Sequence, residues 1–290
     1  MLHGFLNIDK PAGLTSHDIV ASLRRLAGQK RIGHGGTLDP AATGVLPVAL
    51  GEATRLLDYL VEGRKRYAAV ITLGVVTTTD DAEGEVVKQQ PVPVLHEADI
   101  AAVLRTFTGA IRQVPPMYSA IQVGGRRLYD LARQGVQLEL APRQVEIDAI
   151  QLLAWQPPLL AVDVVCGKGT YIRALARDLG KQLGCGGHLQ SLRRTAVGSL
   201  CLDTAVSLDA LLDAPASLAA HLLPPDVAIA HLPRIDLDEV AAERIRHGLA
   251  IETSSPAADV VRAHAPDGRL LALLRYDNGV WRPSKVFAWR

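Results

Sequence analysis

The chain has 290 residues, 48% hydrophobic and 21% charged, with a formal net charge of +1. That length supports one large domain or two ordinary ones with real cores, and the balance reads as soluble and globular rather than fibrous or disordered. No apolar run reaches membrane-spanning length, and the opening MLHGFLNIDK lacks the three regions of a signal peptide, so a cytoplasmic protein is expected. Cys166, Cys185 and Cys201 are odd in number and never spaced C-x-x-C, which argues for reduced structural thiols and against a disulfide framework or a zinc site.

Taken in chain order, residues 4–8 read as a strand that runs into the loop Asp9-Lys10-Pro11-Ala12-Gly13. Thr15 and Ser16 are N-cap candidates, Ile19, Val20, Leu23 and Leu26 follow with helical period, and Gly28 is a natural stop. Residues 66–74 read as a strand. Residues 117–123 and those from 126 onward flank Gly124-Gly125, a two-residue hairpin turn. Residues 161–166 form another strand, and a helix then carries Ile172, Leu175, Ala176, Leu179 and Leu183 on one stripe. Hairpin signals mixed with single helices favour an α+β domain with a largely antiparallel or mixed sheet. Proline-rich LLPPDVAIAHLP marks a boundary near 232, giving domains 1–232 and 233–290. The second has a helix pattern at 238–247 and strand-like runs near 259–264, 269–275 and 280–287. It is short for an independent core and is expected to pack on the first domain.

Charge is unevenly placed. Residues 166–198 hold six basic side chains and one acidic one, whereas residues 200–240 hold seven acidic and one basic, as suits a molecule with one cationic working face.

Five segments have the makings of chemistry. Gly33-His34-Gly35-Gly36-Thr37-Leu38-Asp39-Pro40 is a glycine-rich loop whose backbone can approach a ligand, although Asp39-Pro40 also suits an ordinary helix start. Arg64-Lys65-Arg66-Tyr67 places a ring that can stack on a base beside three cations that can meet phosphate. Cys166-Gly-Lys-Gly-Thr-Tyr171-Ile-Arg173 leaves a strand for a helix and aims backbone N–H groups at an anion. It is not a P-loop, because Val162 stands where the first glycine belongs and Gly169 follows Lys168. Arg173 is placed to pair with a carboxylate. The fourth segment, His188-Leu-Gln-Ser-Leu192-Arg193-Arg194-Thr195, offers Arg193 and Arg194 as phosphate contacts, and the fifth is Val114-Pro-Pro-Met-Tyr118-Ser-Ala120.

In this order the segments resemble the TruB family, the tRNA pseudouridine-55 synthases. The matching stretches are DKPAGLTS (9–16), GHGGTLDPAATGVL (33–46), KRY (65–67), QVPPMYSA (113–120), GKGTYIRALARDLG (167–180) and HLQSLRRTAVG (188–198). The resemblance implies a pseudouridine-synthase-like sheet with flanking helices and a small PUA-like RNA-binding module at the C-terminus. It implies Asp39 as nucleophile, Tyr67 stacked on the target uracil, Arg173 paired with Asp39, and Tyr171 near the flipped base. It also implies His34 filling the gap left in the RNA, Lys10 supporting the active-site loops, and Leu192 lining the base pocket. The chain departs from the family pattern in two places: Gly167 stands in place of a serine, and Ile121-Gln122 in place of Leu-Lys or Val-Lys.

The expected reaction is therefore isomerisation of the T-loop uridine of tRNA, with no redox, nucleotide or metal cofactor, by a monomer that needs no protein partner. Arg173 is expected to keep Asp39 ionised. Whether the carboxylate adds to C1′ or first takes a proton to give a glycal stays open. A non-catalytic RNA-binding protein, a phosphate-ester enzyme using the Gly-Lys-Gly-Thr turn, and a guide-dependent relative are the competing readings.

Overall fold

The computed structural model describes residues 1–290 except 120, 129–130, 132–133, 135, 137, 254–257 and 290. Ala120 of the QVPPMYSA motif thus lies outside the described residues.

The first strand, β1 (Gly4–Lys10), leads to a helix, Ser16–Ala27, and then to β2 (Ile32–His34) and β3 (Thr43–Leu50). A short helix, Leu57–Glu62, precedes β4 (Lys65–Leu73), β5 (Val75–Thr77) and β6 (Val86–Gln89). After the helix Glu97–Thr106 come β7 (Gly109–Gln113), β8 (Gln122–Val123), β9 (Arg126–Arg127), β10 (Arg143–Gln156) and β11 (Leu159–Cys166). The helix Ile172–Gln182 is followed by β12 (Gly187–Val197), β13 (Leu200–Cys201), β14 (Val206–Ser207) and the helix Leu208–Asp213. The C-terminal part holds β15 (Arg234–Asp236), the helix Glu239–Arg246, β16 (Ile251–Glu252), β17 (Val260–His264), β18 (Leu270–Asp277) and β19 (Val280–Val286). No helix among the described residues is long and apolar enough to cross a membrane.

Ten strands form one mixed sheet in the order β14-β1-β3-β12-β4-β11-β10-β7, with β2 on β3 and β13 on β12. Most pairs are antiparallel, but β12 runs parallel to β3, joining Arg193 to Thr43 and Arg194 to Gly44. That pairing brings two backbones unusually close. Gly44 has φ +101°, and a Cβ there would lie 2.2 Å from the Arg194 carbonyl oxygen, so only glycine fits. A separate five-stranded sheet, β15-β17-β18-β19-β16, forms the C-terminal part.

Local signals account for several elements. The Thr15 side chain accepts the Asp18 N–H and the Asp18 carboxylate accepts the Thr15 N–H, a closed capping box, and Gly28 ends the helix. Gly124 and Gly125 both take left-handed φ, 59° and 78°, as a two-residue hairpin turn requires. In the helix Ile172–Gln182, Ile172, Leu175, Ala176 and Leu179 are buried against the sheet.

One core lies between the sheet and the helices Glu97–Thr106 and Ile172–Gln182, and it includes Leu38, Tyr67, Ile71, Val164 and Leu179. Another packs the helix Ser16–Ala27 on β1 and β3. A third joins the two sheets: Phe5, Val45, Leu56 and Leu60 pack with Leu270, Leu273 and Phe287. Truncating Phe287 in such a core costs about 3–5 kcal/mol, so the small module rests on the main one as its length requires. The proline-rich segment adds polar ties. Asp226 pairs with Arg262 at 3.0 Å and lies 2.8 Å from His264 Nε2 on β17.

Candidate active site

The loop between β2 and β3 turns sharply at Asp39-Pro40. The Ala42 N–H donates to the Asp39 carbonyl at 3.1 Å, and no helix follows. The helix-start alternative for Asp39-Pro40 is therefore corrected. The Pro40 carbonyl is taken by Lys10 Nζ at 3.1 Å and by the Gly13 N–H at 2.9 Å. A cap proline would have pointed that carbonyl along a helix axis.

Three side chains from other elements fix this loop. Ser16 Oγ accepts the Leu38 N–H at 2.9 Å and donates back to the Leu38 carbonyl at 3.2 Å. Lys10 is fully buried and also donates to the Pro11 and Leu14 carbonyls. Arg194, 1% exposed, donates to the carbonyls of Val45 at 2.7 Å, Gly36 at 3.1 Å and Thr37 at 3.5 Å. Each buried cation thus spends its donors on main-chain carbonyls, which is what makes its burial tolerable.

The Asp39 side chain is 42% exposed. Arg173, from the first turn of the helix Ile172–Gln182, meets it with Nε 3.1 Å from Oδ2 and Nη2 3.3 Å from Oδ1. The same guanidinium donates to the Tyr118 carbonyl at 2.7 Å and to Asp81 Oδ2 at 3.3 Å. One helical turn on, Arg177 pairs with Asp80 at 2.8 Å and with Asp178 at 2.9 Å, and donates to the Val114 carbonyl at 2.9 Å.

Burial pushes the Asp39 carboxyl above the ordinary carboxylate value. Arg173 and Lys10 pull against that rise, and the nearby Asp81 adds to it. The expectation that Arg173 favours the charged form matches its direction of action, but desolvation outweighs it. Lys10 is lowered by its burial, with Asp39 opposing. His34, half-buried, is lowered by burial and by Arg194, which favours a neutral imidazole, and its Nδ1 has no hydrogen-bond partner.

Tyr67 is 7% exposed in the same core cluster as Leu38, with Leu192 packed against that cluster. Its hydroxyl bonds Arg194, and burial pushes its phenol up. Tyr171 caps the helix that carries Arg173, and its main chain is bonded to the Gln113 side chain. Asp39, Arg173, Tyr67, Tyr171, Lys10, His34 and Leu192 therefore gather around one loop.

The arginine pair does not behave as a pair. Arg193 is exposed and pairs with Asp9 at 2.7 Å. Arg194 is enclosed, and its expected phosphate contact is corrected: all its bonds run inward. Alternate residues of a strand face opposite ways, so two neighbours on β12 cannot share a role.

Sequence reasoning missed Asp80, Asp81 and Arg177. The run Thr77-Thr-Thr-Asp-Asp81-Ala-Glu-Gly84 carries a turn signal, adjacent aspartates shortly before a glycine, that would have flagged the loop but not its partners.

Residues 24–172 match the family model described as TruB family pseudouridylate synthase, N-terminal domain. Residues 173–230 match the tRNA pseudouridylate synthase B C-terminal domain, and residues 232–288 the C-terminal part of tRNA pseudouridine synthase II. The chain is 46% identical over 290 residues to tRNA pseudouridine synthase B of Dehalococcoides mccartyi, covering 99% of this chain and 97% of that one. It is 47% identical over 303 residues to the Moorella thermoacetica protein of the same name, covering 99% of each. Among solved structures, the crystal structure of a Cbf5–Nop10–Gar1 complex aligns with TM-score 0.77 at 28% identity, over 98% of this chain and 85% of that one. An H/ACA RNP bound to a substrate RNA containing 2′-deoxyuridine aligns with TM-score 0.76 at 26% identity, with the same coverage.

Proposed function

This chain belongs to the TruB family of tRNA pseudouridine synthases, and we propose that it converts the T-loop uridine at position 55 of tRNA to pseudouridine with Asp39 as nucleophile. The observation that carries this reading is the two-point contact between Asp39 and Arg173, beside the core cluster that buries Tyr67 with Leu38.

A uridine in a folded loop is stacked, so it must leave the stack at a cost of a few kcal/mol before its sugar can be attacked. Tyr67 returns part of that cost by stacking on the flipped uracil, and Leu192 closes the apolar side of the pocket. Tyr171 lies against the flipped base. His34, neutral, fills the space the base vacates.

The Asp39 carboxylate then acts at the ribose, either by bonding to C1′ or by taking a proton to leave a glycal. The N1–C1′ bond breaks, the uracil turns, and C5 bonds to C1′ as the Asp39 oxygen leaves C1′ on the first route or as Asp39 returns the proton to C2′ on the second. C5 loses its proton and N1 gains one, so atoms balance without cofactor or oxidant. Arg173 orients Asp39 through two bonds and favours its charged form.

Residues 1–232 carry the chemistry and 233–290 serve as an RNA-binding module. Arg193 contacts phosphate, which positions the RNA without reading its sequence. The protein acts on tRNA as a monomer, without a protein partner. A tRNA transcript with tritium at uracil C5 tests the reaction: wild type releases the label, and Asp39→Asn does not. Wild type that binds the transcript and releases nothing would sink the proposal.

A further inference from the structure

We propose that Gln113 is a positioning residue for the isomerisation, holding the main chain of Tyr171 and, through it, the Arg173–Asp39 pair. The inference rests on the reading of Asp39 and Arg173 above and extends it to a side chain that touches neither.

Gln113 is the last residue of β7 and is 2% exposed. Its Oε1 accepts the Tyr171 N–H at 2.8 Å, and its Nε2 donates to the Tyr171 carbonyl at 3.1 Å. One side-chain amide thus reads both polar groups of one backbone residue, 58 positions away in sequence. A neutral side-chain amide carries its donor and its acceptor on two separate atoms, as reaching the N–H and the carbonyl of one residue requires. Glutamate offers only acceptors when ionised, and asparagine is one methylene short.

The position of this clamp is specific. Tyr171 is the N-cap of the helix that carries Arg173, and its own side chain makes no capping bond. The segment that begins with Gln113 then grips the same helix twice more, through the Tyr118 carbonyl on Arg173 and the Val114 carbonyl on Arg177. Residues 113–118 therefore lie as a splint along the first two turns, with Gln113 as its main-chain anchor. Without that anchor the helix start is free to shift, and Arg173 shifts with it. A displacement on the order of 1 Å in such a contact lowers a rate by about a hundredfold.

The alternative is a buried glutamine that merely satisfies its neighbours, and the test separates the two. Gln113→Leu removes both bonds at similar volume. Gln113→Glu keeps the acceptor for the Tyr171 N–H, replaces the donor that faced the Tyr171 carbonyl with a second acceptor, and decides the matter should Gln113→Leu fail to fold. Single-turnover pseudouridine formation with saturating tRNA transcript is measured against tRNA affinity and the pH–rate profile. The expected result is a rate lowered about tenfold to a hundredfold, a tRNA Kd within about twofold of wild type, and an acid limb moved to higher pH as Arg173 loosens from Asp39. Unchanged rate and limb in a folded variant, or a loss confined to Kd, would overturn the proposal. So would a wild-type Tyr171 amide that exchanges with solvent as fast as an open loop. Product from wild type upholds the underlying reading separately, and only the difference between wild type and variant bears on Gln113.

Discussion

Asp81 Oδ2 lies 3.3 Å from Arg173 Nη1, so one guanidinium holds two carboxylates, Asp39 on its Nε–Nη2 edge and Asp81 at its remaining nitrogen. The second carboxylate is a fixed negative charge beside the proposed nucleophile. It pushes the Asp39 carboxyl upward while helping to aim the arginine that pulls it down. Replacing Asp81 with asparagine keeps the shape and removes the like charge. The acid limb of kcat/KM for Asp81→Asn is expected at lower pH than that of wild type, read from a pH–rate profile on a tRNA transcript.

Asp39 also has a stability signature. Its folded-state carboxyl lies above its unfolded value near 3.8, so its contribution is fully present below that pH and is lost as pH rises through the raised value. At neutral pH, Asp39→Asn is therefore expected to be at least as stable as wild type while inactive. Thermal midpoints at pH 7 check this, and a midpoint clearly below wild type contradicts it.

The two neighbouring arginines should separate cleanly. Arg194→Met removes the donor from the Gly36, Thr37 and Val45 carbonyls. Each buried group left unsatisfied costs about 1–3 kcal/mol, and relief of the guanidinium's own desolvation offsets part of that. A net loss of about 3 kcal/mol is expected in denaturant titrations. Arg193→Ala is expected to leave stability within about 0.5 kcal/mol. Its effect should appear in tRNA binding, with the slope of log affinity against log salt reduced by about 1.

Lysine in place of Arg173 retains the charge but not the two-point contact with Asp39. Single-turnover rates are expected to fall by about tenfold or more with little change in tRNA affinity. Full turnover in Arg173→Lys would remove the orienting role.

Lys65 offers a test away from the chemistry. It is buried, holds the Val61 and Gly63 carbonyls, and burial lowers it to about 8 from 10.5. Between those values the unfolded chain binds the extra proton, so wild-type stability from this group rises with pH across that window. The stability of wild type relative to Lys65→Met is expected to improve from pH 8 to pH 10.5, measured by urea unfolding.

What the sequence made legible was mostly local. Thr15 and Gly28 announce the two ends of a helix because capping is settled by the residues at each end. Gly124-Gly125 announces a hairpin because few other residues tolerate both backbone angles. The resemblance carried by GTLDP and GTYIR paired Asp39 with Arg173, and LRRT offered Arg193 and Arg194 as phosphate contacts, but the order of motifs could not say which way each side chain faces. Arg193 and Arg194 are alike as letters. Only the parallel pairing of β12 with β3, about 150 residues apart, turns one outward and seals the other in. Asp81 escaped notice for the same reason: its turn carries no periodic signal, and its partner lies 92 positions away. Gln113 was legible as part of a motif, but its partner is a main-chain group, and main-chain groups leave no mark in a sequence.

Pseudouridine mapping of an unmodified tRNA transcript, with EDTA present and no cofactor added, tests the proposed function most directly. Wild type and Asp39→Asn are compared at equal tRNA binding. Product at the single T-loop uridine with wild type, and none with the variant, is the expected result. Product that persists in Asp39→Asn, or its absence from wild type with tRNA bound, would contradict the assignment of Asp39 as the nucleophile or of the T-loop uridine as the target.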